Sequence, residues 1–123
     1  MPIFPTPYPH VLNALNGPSA PKHTFLVFYS NVEDGQMWCP DCRKVDATVK
    51  QAFDGEDKPK AIIYWVGSKA EWRTPENKAR VDWNVHNVPT ILRIEDGKET
   101  ARLVEDDILD SDKLQSFIYP NGQ

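Results

Sequence analysis

The sequence predicts an α/β fold in which a central mixed β-sheet is flanked by helices on both faces. Three observations predict it. Two nearly continuous runs of β-branched and aromatic residues, TFLVFYS (24–30) and AIIYWVG (61–67), have the character of strands buried on both faces. Between them, residues 40–53 repeat apolar side chains at helical spacing, and strand, helix and strand together imply a right-handed crossover. Further on, VPTILRI (88–94) and TARLV (100–104) flank EDGKE, whose Asp96-Gly97 pair is a hairpin turn signal.

Taken in order, residues 1–21 are rich in proline, with Pro2, Pro5, Pro7, Pro9, Pro18 and Pro21. Inside them HVLNALN (10–16) reads as a short helix that begins after Pro9 and stops at Gly17, giving a weak βα start. The strand at 24–30 is followed by a loop over 31–37. The helix at 40–53 gathers Cys42, Val45, Val49, Ala52 and Phe53 on one face, keeps Arg43, Lys44, Asp46 and Lys50 elsewhere, and is closed by Asp54-Gly55. After the second strand, RTPENKARVDW offers Thr74 as N-cap, Pro75 at the first helical position and Glu76 in the first turn. The hairpin follows, and a last helix over 112–119 has Leu114, Phe117 and Ile118 as its apolar face. Most of the sheet is expected to be parallel, with the hairpin as an antiparallel edge. No internal repeat or linker divides the chain, so residues 1–123 read as one domain, a proline-rich segment (1–21) followed by the core (22–123).

A chain of 123 residues, 40% apolar and 26% charged, is long enough and ordinary enough to bury its own core without metals or several disulfides. Its four tryptophans suggest a dense core or a partly exposed aromatic surface. The net charge of −4 is dispersed and argues against nucleic-acid or anionic-membrane binding. The run Glu105-Asp106-Asp107, with Asp110 and Asp112 beyond it, reads as a solvated face. The start, MPIFPTPYPH, has neither a basic n-region nor an apolar stretch of signal length, and nothing approaches the roughly 20 apolar residues of a membrane span. The expected location is the cytoplasm, where a close cysteine pair is more often catalytic or metal-binding than structural.

Both cysteines of the chain lie in MWCPDCRKVD (37–46), with only Pro40 and Asp41 between them. Cys39 falls at the start of the helix and Pro40 at its first helical position. Unpaired N–H groups and the helix dipole favour negative charge there, and C-x-x-C thiols so placed have pKa values lowered to about 3.5–7.5. Cys42, one turn further in, is expected to be more shielded and to attack second. The i, i+3 spacing puts both sulfurs on one face. Three other readings stand beside this one. A zinc site needs four ligands, and only His10, His23 and His86 are available to join the pair, without zinc-finger spacing. A structural disulfide over so short a loop restricts the unfolded chain little. A redox-inert interaction module would use Trp38, Trp65, Trp72 and Trp83 as surface. Pro89, at the head of the strand that follows HN, completes the set: a cis bond before it would turn the adjacent backbone outward to pair with an extended substrate.

With WCPDC (38–42) before a helix, VGSKAEWRTPEN (66–77) and NVPT (87–90) before a hairpin, the chain resembles the thioredoxin superfamily, and within it the thioredoxin domain-containing protein 17 family of 14 kDa thioredoxin-related proteins. The resemblance covers nearly all of the chain from Phe25 onward; residues 1–21 contribute nothing to it. It implies a thioredoxin fold and a monomeric cytoplasmic oxidoreductase, a protein-disulfide reductase that binds no cofactor of its own and receives electrons from NADPH through thioredoxin reductase. Its implied substrates are small-molecule or selected protein disulfides. Carried over, Cys39 is the nucleophile, Cys42 the resolving thiol, Trp38 a flanking aromatic, and Val88 with cis Pro89 the segment facing the dithiol and substrate.

The sequence departs from thioredoxins in two places. Where they carry a buried aspartate in the strand before the motif, this chain has Val27, so another group or water must assist Cys42. Where they carry a glycine after the last strand, it has VEDD (104–107), whose side chains are expected to narrow or charge the groove. Asp41 has opposing effects. It stabilises the first helical turn, yet its charge raises the Cys39 pKa while Arg43 and Lys44 push it down. Exposed charges are screened, so the helix N-terminus should dominate. Whether Asp41 also relays protons to Cys42 stays open at this level.

Overall fold

In a computed structural model, which describes residues 3–4, 23–53, 59, 61–95 and 97–120, the first long apolar run forms strand β2 (His23–Tyr29) at the middle of the sheet. Its residues from Thr24 onward are buried because it is covered on both faces and paired on both edges. The five described strands of the main sheet are ordered β1-β5-β2-β6-β7, where β1 is Ile3–Phe4, β5 Ala61–Trp65, β6 Thr90–Glu95 and β7 Lys98–Val104. The expected β start is therefore the short β1, parallel to β5. The helix read over 10–16, the stop at Asp54-Gly55 and the turn residue Asp96 lie outside the described residues.

The expectation of a mostly parallel sheet is corrected. β5 pairs with β2 in parallel, Phe25 opposite Ala61, but β6 pairs with β2 antiparallel, Phe28 opposite Thr90, and β7 is antiparallel to β6. Burial on both faces makes a strand uniformly apolar whichever way it runs, so the pattern does not encode direction.

Successive residues of β2 point to opposite faces. On one face Phe25 meets Phe53 at the end of helix α1 (Pro40–Phe53) and Phe117 in helix α4 (Ser111–Ile118), with ring centroids 5.1 and 5.3 Å apart. On the other, Phe28 packs on Tyr64 of β5 and Trp83, the last residue of helix α3 (Lys78–Trp83). Helix α1 has the expected bounds and buries Cys42, Val45, Val49 and Phe53. In α4 the expected Leu114, Phe117 and Ile118 are buried, with the Asp110 carboxylate accepting from the N–H groups of Asp112 and Lys113 as cap. No helix among the described residues is long and apolar enough to cross a membrane.

Between β5 and β6 the helix start is also corrected. Thr74 does not cap: its hydroxyl and its N–H both turn back to the Glu71 carbonyl and end a short helix α2 (Lys69–Trp72), itself started by a Ser68–Glu71 capping box. The cap of α3 is Asn77, whose side-chain oxygen accepts from Ala79 N–H at 3.0 Å while its amide donates to Val66 and Glu71 carbonyls at 2.8 and 3.1 Å. The stretch read as a loop over 31–37 holds a small hairpin, β3 (Val32–Glu33) and β4 (Gln36–Met37), turning through Asp34 and Gly35 at positive φ. After β7 the acidic run forms a 3-10 helix, Glu105–Leu109, whose Ile108 is fully buried. The carboxylates of the run stay at the surface, Asp106 and Asp107 keeping 78% and 46% of their side-chain accessibility, as a solvated face requires, while Ile108 anchors the turn in the core.

Because Phe25 joins β2 to two helices, Phe25→Ala should destabilise the chain by about 3–5 kcal/mol, read as a lower urea midpoint. Exposed Val81, at 62% of its full accessibility, should tolerate alanine within about 0.5 kcal/mol in the same assay.

Candidate active site

The dithiol lies where β2, the β3–β4 hairpin and α1 meet. From the end of β2, Asn31 makes paired bonds with Gly67 just beyond β5: Asn31 N–H donates to Gly67 O at 3.3 Å, and Gly67 N–H donates to Asn31 Oδ1 at 3.0 Å. The half-buried Trp38 joins the same node, its indole N–H on Gly67 O at 3.0 Å and its backbone N–H on Asn31 O at 3.3 Å. The node holds the approach to the helix against two strands. Gly67 sits at φ +108, and a Cβ there would lie 3.0 Å from the Glu71 side chain.

Cys39 is the N-cap of α1. Its carbonyl accepts from Arg43 N–H at 3.2 Å, and its sulfur accepts from the backbone N–H of Cys42 at 3.4 Å, the bond a serine or aspartate oxygen would make at this position. Pro40 is the first helical residue, where no N–H is needed. The Cys39 N–H donates to Ser30 Oγ at 3.1 Å, and its thiol points to the Val88 carbonyl at 3.6 Å. The Val88–Pro89 peptide bond is cis, and both residues are buried beside the dithiol. Cys39 keeps 7% of its accessibility and Cys42 none, and both are free thiols.

The electrostatics separate the pair. The Cys42 side chain bonded to it lowers the Cys39 pKa most; burial opposes this, the backbone N–H groups of Cys42 and Asp41 lower it further, and the Asp41 carboxylate raises it slightly, leaving it at about 6. Cys42 is pushed far up, first by its bond to Cys39 and then by burial, with Ser30 opposing. The Asp41 charge raises the Cys39 pKa as expected from its position, while its backbone N–H lowers it, an effect the sequence reading did not include. Arg43 and Lys44 do not act as expected. Arg43 lines a cleft on the side of α1, and Lys44 pairs with Asp106 at 3.6 Å.

Of the residues read from sequence, Trp38, Cys39, Pro40, Cys42, Val88 and Pro89 come together, while Asp41 stands exposed on the first turn. Val27 is buried with no carboxylate in its place. Glu105, at φ +53, donates its N–H to the Pro89 carbonyl at 2.8 Å, so the VEDD stretch does border this segment. Sequence reading gave no role to Ser30, Asn31 and Gly67, which act through the Cys39–Ser30 and Asn31–Gly67 bonds, between residues nine and thirty-six positions apart. Among the described residues no group of three or more histidine, cysteine, aspartate and glutamate side chains could hold a metal, and His86 bonds Asn84 Oδ1 at 2.7 Å.

Comparison with known proteins agrees with this geometry. The family model described as "Thioredoxin domain-containing protein 17-like, thioredoxin domain" matches residues 11–120, and the chain belongs to that family. The match begins upstream of Phe25 and takes in part of the proline-rich segment. A thioredoxin-like protein Clot of Oryza sativa is 32% identical over 79% of this chain and 76% of its own. A thioredoxin domain-containing protein of Schizosaccharomyces pombe is 30% identical over 76% and 81%. Thioredoxin domain-containing protein 17 of Homo sapiens is 28% identical over 75% of each. Among solved structures, thioredoxin of Malassezia sympodialis has a TM-score of 0.66 at 17% identity, covering 98% of this chain and 90% of its own. That of Schistosoma mansoni has 0.65 at 15%, covering 94% and 97%. The fold is the thioredoxin fold. With its adjacent Cys39 and Cys42, it supports a thiol-oxidoreductase type of role.

Alkylation of Cys39 by iodoacetamide should follow its thiolate: the rate falls as pH drops through about 6 and is flat above it. Asp41→Asn, which removes the carboxylate that raises this pKa, should move the midpoint to lower pH. Ser30→Ala leaves the buried Cys39 N–H without its acceptor and should cost about 1–3 kcal/mol in urea unfolding.

Proposed function

We propose that this member of the thioredoxin domain-containing protein 17-like family is a protein-disulfide reductase acting on small-molecule or selected protein disulfides. The observation that carries the reading is the asymmetry of the pair: an activated sulfur at the helix N-terminus and a shielded one a turn inside. The Cys39 thiolate attacks one sulfur of the substrate, a mixed disulfide forms and the first substrate thiolate leaves. Cys42, once deprotonated, attacks the Cys39 sulfur, the second substrate thiolate departs, and the Cys39–Cys42 disulfide remains. Two electrons from NADPH, delivered by thioredoxin reductase, return it to the dithiol, and no cofactor need be bound by this chain. The chain acts as a monomeric single domain in the cytoplasm, where a thiol pool keeps such a pair turning over.

Trp38 flanks the sulfur, and the Val88 carbonyl beside Cys39 marks the backbone along which the substrate would lie. Asp41 tunes Cys39. Selectivity is assigned to Glu105 and Asp106. Glu105 is bonded through its N–H to Pro89 of the segment beside Cys39, and the charge of this acidic stretch is assigned to favour small disulfides over bulky or acidic protein ones.

An NADPH-coupled assay with thioredoxin reductase should give faster reduction of cystine than of insulin, and Cys39→Ser should abolish both. Absence of reductase-dependent turnover in the wild type would instead favour a redox-inert module. Combined Glu105→Gly and Asp106→Ser should speed insulin reduction relative to cystine; an unchanged ratio removes these two residues from the account of selectivity.

A further inference from the structure

Two cations follow Cys42 in the sequence. Lys44 pairs with Asp106 at 3.6 Å, whereas the side chain of exposed Arg43 has no ion pair or hydrogen bond among the described residues. Arg43 lines a cleft of about 390 Å³ between α1, the β3–β4 hairpin and the ends of β2 and β5. That volume falls within the range of about 300–1,000 Å³ usual for small-molecule sites. The strands supply the floor. Tyr29 is the register partner of Trp65, and Ile63 lies two residues before Trp65, so the three side chains share one face of the sheet. Helix α1 supplies a wall: Arg43, Asp46 and Lys50 recur at three- and four-residue spacing and form one stripe. Met37 of β4 closes the opposite side, with Val32, 56% exposed, and Gly35 at the rim. A Cβ on Gly35 would meet no atom within 4 Å, so the rim is open at the hairpin turn.

The lining selects an occupant by shape and by charge. Tyr29 and Trp65 stand with ring centroids 6.3 Å apart and planes tilted by 48°, and Trp65 and Ile63 are half-buried rather than covered. An aromatic ring laid on this floor gains edge or offset contacts with the indole and a contact with the Met37 sulfur, and it removes apolar surface from water. In the wall, Lys50 pairs with Asp46 at 3.1 Å, so those two charges cancel and Arg43 leaves one positive charge without a counter-ion. A planar carboxylate matches the guanidinium fork with two parallel bonds. A dianion would set its second charge against Asp46, and a cation would meet Arg43. The chain as a whole carries −4, so a positive wall is a local feature and not a general one.

We propose that this cleft is a binding site for an aromatic monocarboxylate of one or two rings. The ring system lies against Ile63, Trp65 and Met37, and the carboxylate meets the Arg43 guanidinium at the mouth. Neither cysteine is among the residues that line the cleft, so binding there is separate from the disulfide reaction proposed above and does not depend on it.

Titration of the reduced full chain with 2-naphthoate, and in parallel with uncharged 2-naphthamide, tests the site by calorimetry and by amide NMR shifts. Both should saturate at one molecule per chain and shift the amides of Val32, Gly35, Gln36, Arg43 and Lys50. Naphthoate should bind about tenfold more tightly than naphthamide, the lower end of what a hydrogen bond to a charged group contributes. Arg43→Met keeps an apolar stem and removes the charge. It should bring naphthoate down to the affinity of naphthamide and leave naphthamide unchanged, which also shows that the cleft is intact. Lys44→Met removes a neighbouring charge that does not line the cleft and should alter neither affinity. Absence of saturable binding in wild type would overturn the proposal, as would shifts confined to other parts of the chain. Equal affinities for the two compounds, wild-type naphthoate affinity in Arg43→Met, or an equal loss in Lys44→Met would each do the same.

Discussion

The hydrogen bond from the Cys42 backbone N–H to the Cys39 sulfur, 3.4 Å long, is the contact on which the site depends. Every α-helix begins with N–H groups that have no partner inside the helix. Oxygen side chains usually take them. Here a sulfur occupies the cap position, so the requirement of helix α1 for an acceptor and the requirement of a nucleophile for a stabilised anion are met by one atom. The same bond draws Cys42 under Cys39 and buries it, which pushes the two thiols apart in acidity. An Asp41 carboxylate on the first turn does not reverse this, because its own N–H supports the thiolate that its charge opposes.

A cap of this kind is useful only if the sulfur is held where a second sulfur can reach it. The holding is done from outside the helix. Ser30 at the end of the buried β2 takes the Cys39 N–H, and the Asn31–Gly67–Trp38 node ties the incoming chain to the end of β5. From the other side the cis Val88–Pro89 segment brings a carbonyl to the thiol, and the first residue of the acidic 3-10 helix is bonded to that segment in turn. The sheet thus delivers three loop ends to one sulfur. Central, fully buried β2 is the frame against which they are aligned.

Much of this was legible in the residues, for reasons that differ from element to element. Helix α1 could be bounded at 40–53 because its apolar side chains recur at three- and four-residue spacing and Pro40 marks its first turn. Cys39, Cys42 and Pro89 could be singled out because their chemistry is specific to position. The direction of β6 could not be read, since a strand buried on both faces carries no sign of its polarity. Thr74 and Asn77 are both good caps in isolation, and a bond from Asn77 to Val66 across the chain decided between them. Ser30, Asn31 and Gly67 look ordinary because what they do is made by contacts distant in sequence. The Asp34-Gly35 turn of the small hairpin and the Ser68–Glu71 capping box of α2 had local signals that went unused.

The central claim is that the cap position makes Cys39 the attacking sulfur and leaves Cys42 to resolve. It is tested most directly by trapping the intermediate. Cys42→Ser, mixed with excess cystine at neutral pH and analysed by peptide mass spectrometry, should accumulate one half-cystine adduct on Cys39, while Cys39→Ser treated in parallel should leave Cys42 unmodified. Faster modification of Cys42 in the second variant than of Cys39 in the first, or no adduct on Cys39, would contradict the account.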